Sequence, residues 1–403
     1  MFPVVSRRVV GLYKGELADI GRLLFRKQFI KGRYTDIFEK DFARYTGAKY
    51  AIAVGSGRLA LYAILQALDL PKGSQVIVSA YEDMSVPEAI RQAGLEPVFV
   101  DIDCKTQNID LSQLKGKLTD KTSAVVAAHI FGNPLDVPGI RAIIGERKIS
   151  VIEDCAHALG TRFAGEHVGT AGDVAFFSFN TTKPFMCFGG GMIITGDERI
   201  HDALRSYTNS LPYPGYFDIM NRIFSTYFLY FLTSELVFSL FVFPCLNFLV
   251  LINVEPRVIY KKLFKRSKKS IEAVKFANIQ AFIGIRNFEG LENALMTRGR
   301  NARMLDALIR SDISRPLRAE GCNYYFFILF SKDRDAFRRR MLREGLDSGQ
   351  SLMRDCEALF KANELFPNTG LSRAESVQIP VYEQLPQGKI EAIARIINRC
   401  FVC

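Results

Sequence analysis

Seven apolar runs of four to six residues, set between helix-patterned stretches and polar turns, occupy positions 50–54, 75–78, 96–100, 124–129, 149–153, 174–179 and 192–195. Their alternation with helical spacing predicts an α/β domain over residues 34–206. Helical connections separate the first four runs, as parallel neighbours require, so the sheet should be mainly parallel and buried on both faces. With 403 residues and 48% hydrophobic content the chain also has material for a second core. Residues 275–403 supply it: a long helix, a strand at 324–330, a charged helix at 334–344 and a last helix at 387–399. They read as a smaller C-terminal α+β domain.

Two segments of the larger domain carry chemistry. The first is Phe177-Ser178-Phe179-Asn180-Thr181-Thr182-Lys183, followed by Gly189-Gly190-Gly191. Alone, its lysine is as readily a surface residue in a polar turn as a Schiff-base amine. The second, Val151-Ile152-Glu153-Asp154-Cys155-Ala156-His157, ends an apolar strand in an acid, the partner that a bound pyridinium nitrogen requires. Together they form two halves of one pyridoxal 5'-phosphate (PLP) site. A strand running into Gly55-Ser56-Gly57 and then a helix is a third, weaker signal, because free backbone N–H groups and the helix dipole there suit a phosphate.

The net charge of +11 is uneven. Residues 1–33 form a basic N-terminal segment with a balance of +6, and residues 255–269 hold another +6, seven basic residues in a flank at 257–269 against Glu255. No zinc finger, helix-turn-helix or RNA-binding signature accompanies these patches, so nucleic acid is not the expected partner. The eight cysteines have no framework spacing, and the first residues hold too short an apolar run for a signal peptide, which points to a reducing cytosol. Cys400 and Cys403 form a lone CxxC without a second pair, and no metal site is expected.

Within an insertion at 207–274, residues 223–254 carry one charge, Glu235, among Phe, Leu, Val and Tyr. As a single helix this stretch would be ~48 Å long, more than a bilayer's ~30 Å apolar core, and Pro244 is the expected break. One crossing would put Lys183 and the C-terminal domain on opposite sides of a membrane. The segment must then be interfacial, re-entrant, a returning hairpin, or buried as core or dimer interface. The basic flank favours a monotopic segment at headgroups on the cytoplasmic face of a membrane.

Nearly the whole chain outside this apolar stretch resembles the DegT-type sugar aminotransferases, PLP enzymes of fold type I. The resemblance rests on Phe38-Glu39 to Gly47, Ser56-Gly57-Arg58-Leu59-Ala60-Leu61, Pro97-Val98-Phe99-Val100-Asp101-Ile102-Asp103, His129-Ile130-Phe131-Gly132-Asn133-Pro134, Ile152 to Gly160, Phe177 to Lys183, Ile279-Gln280-Ala281 and Ile379-Pro380-Val381-Tyr382, in that order. It implies that Lys183 bonds the cofactor and shuttles the proton, that Asp154 pairs with the pyridine nitrogen, that Ser178 with Ser56, Gly57 and Arg58 holds the phosphate, and that His157 lies against the ring.

Departures from the family pattern also bear on the site. Arg58 stands where relatives carry threonine, and either pairs with the phosphate or turns away. Asp83 occupies the position of a stacking aromatic, which Tyr81 would supply from a shifted register. The implied enzyme is a homodimer moving an amino group, expected from glutamate, onto a keto sugar or sugar-like acceptor that is lipid-linked or feeds a membrane glycoconjugate pathway. A sugar dehydratase, whose family examples tend to lose the lysine, and a non-catalytic membrane protein keeping the fold are the alternatives.

Overall fold

The computed structural model describes residues 4–252, 271–350, 353–356 and 365–401. Helices α1 (Glu16–Phe25) and α2 (Tyr34–Thr46) lead into β1 (Tyr50–Val54), followed by α3 (Gly57–Ala67), β2 (Gln75–Ser79), the short β3 (Tyr81–Glu82), α4 (Ser85–Gln92) and β4 (Glu96–Val100). Then come α5 (Leu111–Lys117), β5 (Thr122–Ala128), α6 (Val137–Ile144), β6 (Ser150–Asp154), the hairpin β7 (Arg162–Phe163) and β8 (Glu166–His167), β9 (Val174–Ser178), β10 (Gly191–Thr195) and α7 (Glu198–Ser210). All seven expected strands form one sheet in the order β1-β10-β9-β6-β5-β2-β4.

From β9 to β4 every pair is parallel, while β10 runs antiparallel to both β9 and β1. The reversal of β10 brings Val54, Gly191 and Ser178 side by side at the edge where β6 ends in Asp154. A ligand crevice outside the carboxyl ends of parallel strands is the expected outcome of such a sheet.

The C-terminal domain packs α11 (Asn278–Leu308), α12 (Arg334–Arg343) and α14 (Gln387–Cys400) with an antiparallel sheet of order β11 (Phe327–Phe330), β14 (Ser376–Ile379) and β12 (Gly349–Gln350). The short α13 (Pro367–Glu375) precedes β14. A further short strand, β13 (Arg354–Asp355), pairs with β3 and ties the small domain to the cavity wall. The basic N-terminal segment is built into both domains. Val5 bridges Leu346, Arg7 pairs with Asp347 at 2.8 Å, and α1 buries Ile20 and Leu23 beside Met186 and Phe188.

The apolar stretch forms α8 (Tyr216–Thr233), then α9 (Glu235–Val237), a π turn (Phe238–Val242) and α10 (Phe243–Leu251), with a bend of 59° between the two halves. The break falls at Ser234 and not at Pro244. Ser234 has extended backbone (φ −61°, ψ 142°), its hydroxyl donates to the Phe231 carbonyl, and its own carbonyl accepts the Phe238 N–H that starts the next helix. Pro244 lies just after the π turn, in helical backbone that runs on through Val242 and Phe243, so the irregularity before it and not a helix end accommodates the proline. No single described helix is long and apolar enough to cross a membrane. The basic flank 257–269 and Cys403 lie outside the described residues.

Candidate functional site

A cavity of about 620 Å³ opens at the carboxyl edge of the sheet, lined by Asp154, Ser178, Lys183, His157 and the Ser56-Gly57-Arg58 turn. The residues singled out in the sequence thus meet in one place, apart from Tyr81. Tyr81 is wholly buried in a cluster with Phe131, Tyr325 and Met353, and its neighbour Glu82 lines the cavity instead. Adjacent strand residues point to opposite faces, so the short β3 that pairs with β13 can present only one of the two to the cavity. Asp83, exposed, lines the cavity beside it.

Asp154 is buried at the end of β6, and its Oδ1 accepts the Ala156 N–H at 2.8 Å. Burial pushes its carboxyl up to about 6, against the pull of that hydrogen bond and of the Lys183 charge. The preceding residue does different work. Glu153 accepts N–H groups from Gly169, Ala171 and Gly172, and its Oε2 lies 3.0 Å from His129 Nε2. His129 Nδ1 accepts the Leu135 N–H, which leaves the proton on Nε2 to donate to Glu153. Burial would raise Glu153, but these donors outweigh it and hold its carboxyl below the usual range. His129, Glu153 and Cys155 are the one metal-ligand cluster found among the described residues, and the ring nitrogens of its histidine are already committed to protein partners.

Lys183 follows a turn closed by its N–H to the Asn180 carbonyl. Its Nζ lies 5.0 Å from the ring centroid of Tyr325, and Tyr325 stacks on His157 at 4.5 Å and donates its hydroxyl to the Thr182 carbonyl at 3.2 Å. Tyr325 belongs to the C-terminal half and was not among the expected site residues; within the run read as a strand nothing distinguishes it from the aromatics beside it. Burial raises its hydroxyl, but the charges of Lys183 and Arg8 outweigh that and place it below the ordinary value. Burial, with Lys183 and Arg8 nearby, holds His157 well below its usual range, so the ring is neutral near pH 7.

Glu82 is the second unanticipated group. Its Oε1 accepts the Asp83 N–H, while Oε2 is buried without a hydrogen-bond partner. Burial, then the charge of Asp154, push its carboxyl well above the usual range.

The phosphate cradle is shaped by glycine. The Ser56 hydroxyl caps α3 by accepting the Leu59 N–H at 3.1 Å, and the first turn of α3 faces the cavity beside Ser178. A Cβ on Gly57 would stand 3.0 Å from Ser178 Cβ, and one on Gly191 would stand 2.9 Å from the Gly57 nitrogen. Gly190 has φ +97°, and a Cβ there would come 2.0 Å from the Phe276 ring. Gly190→Ala should therefore destabilise the fold by about 2–4 kcal/mol through combined strain and overlap, read as a lowered thermal midpoint. These residues fit PLP: a helix start and Ser178 for the phosphate, a buried carboxylate for the pyridine nitrogen, and an amine held between them.

The comparisons with known proteins agree with this geometry. Residues 12–211 match the DegT/DnrJ/EryC1/StrS aminotransferase family. The chain is 38% identical over 172 residues to the GDP-perosamine synthase of Escherichia coli O157:H7, covering 43% of this chain and 47% of that one. It is 36% identical over 227 residues to the dTDP-3-amino-3,6-dideoxy-alpha-D-galactopyranose transaminase of Aneurinibacillus thermoaerophilus, covering 55% and 62%. The chain thus spans about half the length of the curated relatives it matches. Among solved structures, the E. coli GDP-4-keto-6-deoxy-D-mannose-3-dehydratase with bound hydrated PLP superposes with a TM-score of 0.76 at 21% identity, over 98% of this chain and 99% of the other.

Proposed function

The chain fits the DegT/DnrJ/EryC1/StrS aminotransferase family, and on that premise we propose that it is a PLP-dependent aminotransferase. Its substrates would be an amino donor, glutamate in this reading, and a keto sugar. The observation that carries the reading is the meeting of Lys183, Asp154, Ser178 and the start of α3 around one cavity. When bound, PLP supplies an electron sink for the carbon next to the transferred nitrogen. Asp154 would hold the proton on the pyridine nitrogen of bound PLP and, beside that cation, would stay ionised despite its burial. The Lys183 amine would hold the cofactor and, when free, would move a proton at the carbon beside the transferred nitrogen. His157 and Tyr325 form an aromatic wall that limits the motion of Lys183 and excludes water from one side. His157, neutral, brings no charge to that wall.

The retained Lys183 separates this reading from a dehydratase. We also propose a homodimer in which a second copy helps to enclose the cavity; light scattering showing an active monomer would refute it.

The acceptor, in this proposal, is lipid-linked or feeds a membrane pathway, and the protein lies on the cytoplasmic leaflet. Support comes from an exposed apolar surface along α8 to α10, where Phe217 is 80% exposed, Phe224 69% and Phe241 65%, and from the basic run that follows in the sequence. Phe238, by contrast, is buried and belongs to the protein core. Replacing Phe224, Phe231, Phe241 and Phe248 by serine should release the protein from anionic vesicles. Neutralising Lys261, Lys262, Lys265 and Arg266 should weaken binding by about 1 kcal/mol per charge at low salt and by less at high salt. A wild-type protein that ignores vesicles at low salt and stays soluble without detergent would overturn this part.

A further inference from the structure

The cavity has one wall made by residues beyond the stretch that matches the family: Asp218, Asn221, Arg222 and Ser225 of α8, with Glu272 opposite. Their spacing of i, i+3, i+4 and i+7 puts all four on one helix face. The same helix buries Ile219 and Ile223 against the core and exposes Phe217, Phe224 and Phe228. A helix that begins an apolar insertion thus puts its polar stripe, with Asp218, Asn221 and Ser225 exposed, on the wall of the cavity that Lys183 also lines.

That stripe is held in place. The Thr226 hydroxyl donates to the Arg222 carbonyl at 2.8 Å, so the 2.9 Å bond between Thr226 and Thr181 takes its proton from Thr181, two residues from the lysine. One residue on, Tyr227 donates its hydroxyl to Glu16 Oε1 of α1 at 2.9 Å. Arg222 is only 16% exposed, and its Nη2 lies 3.4 Å from Glu272 Oε2. A side chain on Gly189 would come within 3.0 Å of Arg222 Nη1, so glycine leaves this guanidinium open toward the cavity. Five N–H donors serve a guanidinium, and the pairing with Glu272, the one that Arg222 makes among the described residues, leaves donors for a ligand.

Two carboxylates, the Asn221 amide, the Arg222 guanidinium and the Ser225 oxygen, whose own proton goes to the Asn221 carbonyl at 2.7 Å, make a mixed set of acceptors and donors. Neighbouring hydroxyls of a sugar ring, each able to donate and accept, match such a set. A phosphate, which only accepts, would meet the charges of Asp218 and Glu272 on either side of Arg222. We propose that the polar face of α8, with Glu272, is a recognition wall for the hydroxyl groups of a sugar ring held beside Lys183. This deepens the aminotransferase reading and rests on it for the identity of the reaction, though the wall itself can be tested apart from that reaction.

The test uses the full chain loaded with PLP and, as probes, free D-galactose, D-mannose and D-fucose, with inorganic pyrophosphate as the anionic competitor. Saturation-transfer NMR should show contact with ring protons in the wild type. The signal should fall at least fivefold in Asp218→Ala, in Arg222→Gln and in the double variant N221A/S225A, with unchanged circular dichroism and thermal midpoint showing that each variant is folded. Pyrophosphate should fail to displace the sugars. Absence of sugar signal in the wild type, retention of the signal in all three folded variants, or displacement by pyrophosphate overturns the wall. A protein that binds these sugars in the wall-dependent manner yet forms no covalent PLP adduct rejects the aminotransferase reading and supports the wall.

Discussion

Lys183→Ala should remove the covalent attachment of PLP and lower transamination by on the order of 10⁴-fold, because one amine both anchors the cofactor and moves the proton. The wild type should be yellow, with a band that shifts on adding glutamate. Borohydride reduction followed by peptide mapping should place the label on Lys183 and leave the alanine variant unlabelled. A label on another lysine would remove Lys183 from the mechanism, whatever the variant's residual rate.

Asp154→Asn should still bind PLP but turn over 10²- to 10³-fold more slowly, a barrier increase of about 3–4 kcal/mol, since an amide cannot hold the pyridine nitrogen protonated. The same residue gives a pH signature in the cofactor-free protein. Its carboxyl is raised by burial from 3.8 to about 6, so the folded state holds a proton that the unfolded state has already lost. That contribution to stability is present in full below pH 4 and is lost as pH rises through 6, on the order of 3 kcal/mol. Denaturant titrations of the cofactor-free protein should therefore show a loss of stability between pH 4 and 6 that is smaller in Asp154→Asn. PLP should flatten the wild-type profile, because the pyridinium offsets the buried charge. Near-normal turnover in the variant would take Asp154 out of the reaction.

The seven strands were legible because each is a short apolar run between turn and helix signals, and Asp154 and Lys183 because a short segment carries each with its chemistry. The direction of β10 was not legible, since an apolar run has the same pattern read either way. Tyr325, Glu82 and the polar face of α8 escaped for a different reason. Tyr325 reaches Lys183 across 142 positions of sequence, and only the packing of two domains brings them together. Glu82 and Tyr81 exchange roles because a two-residue strand sets which side chain faces the cavity, and that register depends on β13, more than 270 residues away. In α8 the conspicuous aromatics masked four polar residues at helical spacing. Pro244 misled for a local reason: a proline usually ends a helix it interrupts, but here a π turn directly before it lets the helix run on.

The reversal of β10 has a kinetic side. Because β9 and β10 are antiparallel neighbours, the loop carrying Lys183 closes a hairpin between Ser178 and Gly191, whose pairing needs no long excursion of chain. Contacts so close in sequence have a small closure entropy and form early, whereas the ring of Tyr325 arrives only when the two domains dock. Asp154, Lys183 and the glycine cradle are therefore all encoded between residues 55 and 191, and the aromatic wall beside the lysine is completed by a segment synthesised later.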